Sequence, residues 1–285
     1  MRLASFRVAG REAFGLVRGR EVVLLTGLLP GIDCLADALR AQALPELAGI
    51  AARRTADYDR DELDWLPVLP RPGKLVCMGM NYRAHRHEMR EAVGEDAGVP
   101  TFFLRGPHAL LAHDDSMLVP RVSRQLDFEG ELAVVIGRPA RHVSAGQALQ
   151  YVAGYTAFID GSVRDYQRQS TGAGKNFEAT APLGPTLTTA DEIPDPQGLA
   201  LVTTLNGAAM QDASTAQMLH SVAVCISYVS SIMTLQPGDV LATGSPGGAG
   251  AGRNPPVWLR PGDRLELTIG PLDPLCVQVA AEAAP

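Results

Sequence analysis

The 285-residue chain is long enough for one large domain or a main domain with a smaller companion, and its 46% apolar content allows a sizeable core. A net charge of −6 with scattered Lys and Arg leaves no footprint for nucleic acid. There is no run of about 18 apolar residues to span a membrane, Met1 leads into polar sequence rather than a secretory signal, and the four cysteines (Cys34, Cys77, Cys225, Cys276) form no CxxC zinc pair. A cytoplasmic location with reduced, buried thiols is therefore expected.

Short alternating apolar runs over residues 1–26, punctuated by Gly10 and Gly19, predict a small antiparallel meander. Asp33 is placed to cap a helix over Cys34–Ala43, and a second helix should follow Pro45. Pro67, Pro70 and Pro72, closing on Gly73, stiffen a connector. The expected division is a small N-terminal α/β domain over residues 1–70 and a main domain over 71–285. A strand over Lys74–Gly79 should lead into a helix from Tyr82 to Val93, which carries no Gly or Pro. His85 and Glu88 share a face of that helix, so a carboxylate can hold the imidazole as a general base needs. The same spacing suits an exposed charged helix. Gly94–Pro100 reads as a loop able to cover whatever His85 faces.

The stretch Leu126–Gly137, LDFEGELAVVIG, is the centre of the main domain. Leu132–Ile136 is unbroken apolar and β-branched, as in a buried strand. Asp127, Glu129 and Glu131 alternate ahead of it, and residues two apart share a strand face. Taken alone, this suits a solvated edge strand. If buried, the carboxylates repel unless a hard cation such as magnesium, calcium or manganese neutralises them.

Tyr151–Asp160 is a β-rich run ending in an acid, able to reach a cation held by a neighbouring strand. Arg164 offers a bidentate fork for a carboxylate, and Lys175, on a glycine-rich turn, a compact charge for an oxyanion. Each of these also has an ordinary surface role. Strands are expected over Pro182–Thr189 and Leu199–Leu205, the latter turning at Asn206-Gly207. Helical spacing of apolar residues predicts a core-covering helix from Ser214 to Leu235. Pro237-Gly238-Asp239 and Pro261-Gly262-Asp263 read as type II turns before the strands Val240–Thr243 and Arg264–Ile269. The run Gly244–Gly252 has neither a phosphate-loop nor a dinucleotide register. It reads as a close-packed loop near a ligand, or equally as a surface loop.

Together these motifs resemble the fumarylacetoacetate hydrolase family, over most of residues 74–270 and in the family's order. They are Gly79-Met-Asn-Tyr with the HxxE pair, Asp127 through Gly137, Gly154-Tyr-Thr, Asp160 through Gln167, Gly174-Lys175, Pro237-Gly-Asp-Val, and Thr243-Gly-Ser245-Pro246. The resemblance implies a mixed, mainly-β fold with helices (α+β), built as a β-sandwich roll, with a divalent metal and a homodimer. It implies metal ligation by Glu129, Glu131 and Asp160, with Mg2+ or Mn2+ and Ca2+ as a further option. It implies a base and its orienting acid in His85 and Glu88, a charge stabiliser in Lys175, and substrate contacts from Arg164, Gln167 and Ser245. Gly161, Ser245, Arg105 and Met80 differ from the residues more usual in the family.

The chemistry implied is cleavage of a carbon–carbon bond in an acylpyruvate-like 1,3-diketo acid through a stabilised enolate. The same enolate serves decarboxylation of a 2-oxo acid, or isomerisation or tautomerisation of an unsaturated diacid of the 5-carboxymethyl-2-hydroxymuconate isomerase type, with oxaloacetate-like substrates as an alternative. A catalytically idle binding subunit is the alternative of a different class.

Overall fold

The computed structural model describes residues 1–89 and 98–283. Strands dominate. A twelve-stranded sheet runs in the order Tyr58–Asp59, Glu21–Leu24, Arg11–Arg18, Arg2–Val8, Ala181–Thr189, Val152–Ile159, Gly130–Ile136, Val240–Ala242, Leu75–Gly79, Thr101–Arg105, with two short strands beside this path. A five-stranded sheet carries Ala208–Ser214, Ala200–Leu205, Arg264–Ile269, Leu275–Ala281 and Ser116–Val119 in that order. Pairing is mostly antiparallel, but Val240–Ala242 runs parallel to Leu75–Gly79. This is the mixed, mainly-β architecture with few helices that the motifs imply.

Why Leu132–Ile136 is unbroken apolar follows from its place at the heart of the large sheet. Leu132, Val134 and Ile136 face a core shared with the small sheet (Leu201, Leu267, Val277) and with the helix Val222–Ile232. Ala133 and Val135 face the opposite core, with Leu3, Phe14, Leu35 and Leu47. A strand covered on both faces has no position left for a polar residue. The first strand pairs with Ala181–Thr189 (Leu3 opposite Leu187), so the N-terminal meander continues the same sheet.

Several local expectations shift. Leu126–Gly137 is not one strand. Leu126–Asp127 pairs with Ser162–Val163 in a separate two-stranded ribbon, and the long strand starts at Gly130. The chain turns at Phe128-Glu129, so the three acids do not share one continuous face. Cys34, not Asp33, is the N-cap of a helix confined to Leu35–Arg40, and Gln42 at φ 56° lies just beyond its end. The helix expected from Ser214 to Leu235 is only Val222–Ile232. Upstream, the backbone of Met218 bridges to Tyr82 and Leu219 N–H donates to the Asn81 carbonyl, and Ser221 Oγ then caps the helix through Val224 N–H. Lys175 ends a short helix, Thr171–Lys175, rather than a turn. Asn206 and Gly207 both take positive φ, 53° and 81°, as the two-residue hairpin requires. Cys34 is half-buried, while the other three thiols are buried. The helix at His85 spans Arg83–Glu88; its expected continuation to Val93, and Gly94–Ala97 of the expected loop, lie outside the described residues. Among the described residues no helix is long and apolar enough to cross a membrane.

Candidate active site

The pairing brings four strand termini together. Gly130 lies opposite Ile159, so Glu129 and Glu131 begin one strand where Asp160 ends its neighbour, and Asp160 N–H donates to the Glu129 carbonyl at 2.8 Å. Val240–Ala242 ends against the same place and delivers the Gly244–Gly252 loop, while its parallel partner Leu75–Gly79 delivers the helix that bears His85. The short helices Arg164–Gln167 and Thr171–Lys175 close the rim. His85, Glu88, Glu129, Glu131, Asp160, Arg164, Gln167, Lys175 and Ser245 all line one pocket of about 910 Å³, with Phe102, Pro256 and Trp258 as apolar wall.

Inside it the acids are met by the protein's own cations. Glu129 accepts from Arg164 Nη2 at 2.8 Å, His85 Nε2 at 2.8 Å, Ser162 Oγ at 3.0 Å, and Lys175. Burial opposes its charge, but Arg164, Lys175 and His85 outweigh that and hold the carboxyl well below the usual range. Lys175 Nζ also reaches Asp160 Oδ2 at 2.5 Å, so one ammonium bridges two acids. Arg164 further donates from Nε to Asp127 at 2.8 Å and from Nη1 to Gln167 at 2.8 Å. Burial lowers the His85 pKa, yet Glu129 and Glu88 more than offset this and raise it to about 9. Glu88 Oε2 lies 3.7 Å from His85 Nδ1, an ion-pair distance beyond hydrogen-bond reach, and among the described residues Nδ1 has no hydrogen-bond partner.

Glu131 is the exception. It is buried, and among the described residues its side chain accepts only the Gly244 N–H, at 2.8 Å. Burial, then the charges of Asp160 and Glu129, push its carboxyl well above the usual range. An acid whose charge is opposed by burial and by two neighbouring acids marks a site short of positive charge, and an all-oxygen donor set suits a hard divalent ion. Among the described residues no three such side chains are already gathered round one point, because Lys175 stands between Glu129 and Asp160. The donors thus fit a divalent cation in chemistry, with the Lys175 ammonium now bridging two of them.

Two residues matter more than their sequence signals suggest. Asp127 faces away from the pocket and is fully buried, accepting from Arg164, Gly250 N–H at 2.7 Å and Ala251 N–H at 3.1 Å. It sets the Arg164 fork and the glycine loop together. Arg105 pairs with Asp160 and donates to Thr180 Oγ1 at 2.8 Å and the Gly161 carbonyl at 3.0 Å. Gly161 has a steric reason, since a Cβ there would lie 2.0 Å from the Thr180 carbonyl oxygen. The glycine loop is close-packed: a Cβ on Gly250 would lie 1.9 Å from the Val257 carbonyl oxygen, and Gly248 N–H donates to Glu88 at 2.8 Å.

Residues 74–280 match the family model for the fumarylacetoacetate (FAA) hydrolase C-terminal domain. The chain belongs to the fumarylacetoacetate hydrolase family. It is 39% identical over 214 residues to the mitochondrial oxaloacetate tautomerase FAHD2A of Bos taurus, covering 74% of this chain and 67% of that one. It is 35% identical over 266 residues to the oxaloacetate tautomerase YisK of Bacillus subtilis (strain 168), covering 88% and 87%. A putative HpcE protein from Mycobacterium smegmatis superposes with a TM-score of 0.87 at 28% identity, over 99% of this chain and 100% of that one. Maleylpyruvate hydrolase from Sphingobium sp. SYK-6, solved with manganese(II) and pyruvate, gives 0.83 at 27% identity over the same shares. Members of this family are enzymes, and this chain is one of them.

Proposed function

We propose that the chain is a divalent-metal-dependent tautomerase of 2-oxo dicarboxylic acids of the oxaloacetate type, interconverting keto and enol forms. The observation that carries this is the buried imidazole of His85, hydrogen-bonded through Nε2 to Glu129 and, among the described residues, without a hydrogen-bond partner at Nδ1. Tautomerisation needs a group that removes a proton from carbon and returns it, and no activated water. The relatives at 39% and 35% identity are both named oxaloacetate tautomerases, which supports the same reading.

Magnesium or manganese, held by Glu129, Glu131 and Asp160, would polarise the oxygens of the 2-oxo acid end as a Lewis acid. His85 carries the proton between C3 and the enol. Lys175, released from its two acids, places its ammonium beside the developing enolate oxygen. Arg164 and Gln167 offer donors to a substrate carboxylate, with Arg164 held in register by Asp127.

Carbon–carbon hydrolysis of an acylpyruvate is the second reading, supported by the likeness to maleylpyruvate hydrolase. It needs a water activated by His85 with Glu88 as orienting acid. Incubation of the purified chain with magnesium and either oxaloacetate or an acylpyruvate, followed by NMR, separates the two. Faster keto–enol exchange in oxaloacetate supports the tautomerase. Pyruvate plus a carboxylic acid from the acylpyruvate supports the hydrolase, and pyruvate plus carbon dioxide from oxaloacetate a decarboxylase. The homodimer implied by the family resemblance belongs to the proposal and is tested by sedimentation equilibrium.

A further inference from the structure

Gln211 lies on Ala208–Ser214, the edge strand of the small sheet, and is the one fully buried residue of that strand. Its amide crosses to the active site. Oε1 accepts Gly130 N–H at 2.9 Å, between Glu129 and Glu131. Nε2 donates to the Pro246 carbonyl at 2.9 Å and to Ser245 Oγ at 2.7 Å.

Two of these partners act in one direction only. A backbone N–H can only donate and a backbone carbonyl can only accept. Gly130 and Pro246 therefore fix which end of the amide is oxygen and which is nitrogen. It follows that Ser245 Oγ must accept from Gln211, and its own proton must go elsewhere. Among the described residues the one protein acceptor it reaches is the Pro246 carbonyl at 3.4 Å, a long contact to an oxygen that already holds the Gln211 N–H.

We infer that Gln211 is a positioning residue that commits Ser245 to act as a hydrogen-bond donor into the pocket, toward an anionic oxygen of the substrate. Ser245 lines that pocket while being buried, so a donated bond there forms out of bulk water. The partner it suits is a carboxylate or enolate oxygen, which can take the proton that Gln211 leaves unused. This rests on the oxo-acid reading for the identity of the anion but not for the direction of the bond.

The test is a double-substitution cycle with Gln211→Met and Ser245→Ala, reading the dissociation constant of oxalate by calorimetry at saturating magnesium. Each single change is expected to weaken oxalate about tenfold, as for a lost hydrogen bond to a charged group. The double variant is expected to be no weaker than either single by more than about twofold, since one substitution acts through the other. In turnover, KM should rise with kcat little changed. Losses that multiply, or a Gln211→Met chain that binds like the parent, overturn the inference. Gln211→Leu is the second variant if Met fails to fold, because it too removes the donor to Ser245 and adds neither a charge nor a new acceptor. Crystals of the Gln211 variant without ligand form an independent arm. Ser245 Oγ should swing onto the Pro246 carbonyl, and an unmoved hydroxyl overturns the inference. A parent chain that binds no oxalate counts against the oxo-acid reading, and the crystal arm still decides this one.

Discussion

Two buried acids, Asp273 and Glu131, have opposite surroundings. Asp273 accepts from Arg2 at 3.0 Å, Arg60 at 3.4 Å and Thr186 Oγ1 at 2.7 Å, so both its oxygens are taken and its charge is matched. It ties the first strand, the segment at Arg60 and the strand Ala181–Thr189 to the turn before Leu275. Glu131 accepts one backbone N–H and sits among like charges. A carboxylate that holds a fold together is fully partnered by that fold, whereas one that waits for something else is not. The difference separates architecture from chemistry without reference to any relative.

The sharpest way to break this contrast is to neutralise the acid that gathers most donors. Glu129→Gln should drop magnesium-dependent turnover to background, read as enolisation rate against metal concentration. Full activity in chelator-treated buffer would sink the metal reading. His85→Ala should slow the chemical step about a hundredfold or more, the usual span for a lost proton carrier; a near-parent rate would place the proton on another group. Glu131→Gln should raise the magnesium needed for half-maximal rate at least about tenfold. It should leave the metal-free protein at least as stable as the parent, because it removes a charge that burial and the neighbouring acids oppose. A lower urea midpoint for metal-free Glu131→Gln would mean that the acid is ionised there and already matched. Asp273→Asn should do the reverse, destabilising by about 1–2 kcal/mol, since its arginine partners are partly exposed, with kcat unchanged.

The smallest effect is a pH slope. His85 in the folded, metal-free chain has its pKa raised from 6.5 to about 9, so folding binds its proton more tightly. The stability this contributes is fully present below pH 6.5 and is lost as pH rises through 9. Urea midpoints of chelator-treated protein should fall across that window, and His85→Ala should flatten the fall. An equal slope in both proteins would assign it to other groups.

Much of this was legible along the chain. The side chains named from motif order line one pocket because strand ends and the turns after them carry the motifs, and sheet pairing aligns those ends. The buried strand was legible because a two-sided core imposes an uninterrupted apolar run. What was not legible depends on partners distant in sequence. The turn at Phe128-Glu129 follows from Leu126–Asp127 pairing with Ser162–Val163, which no local pattern announces. The helix before Leu235 is shortened by Asn81 and Tyr82, more than 130 residues upstream. Gln211 looks like one polar residue of an edge strand until Gly130 and Pro246 are seen on its two ends. Gly161 and Arg105 are explained by the Thr180 backbone and hydroxyl that they meet in the fold.

The bridge that Lys175 makes between Glu129 and Asp160 bears on how such a protein comes into being. A newly made chain carrying its own counter-ion does not wait for a metal before it collapses. Under the proposed function, loading would then be an exchange of one positive group for another inside a finished scaffold.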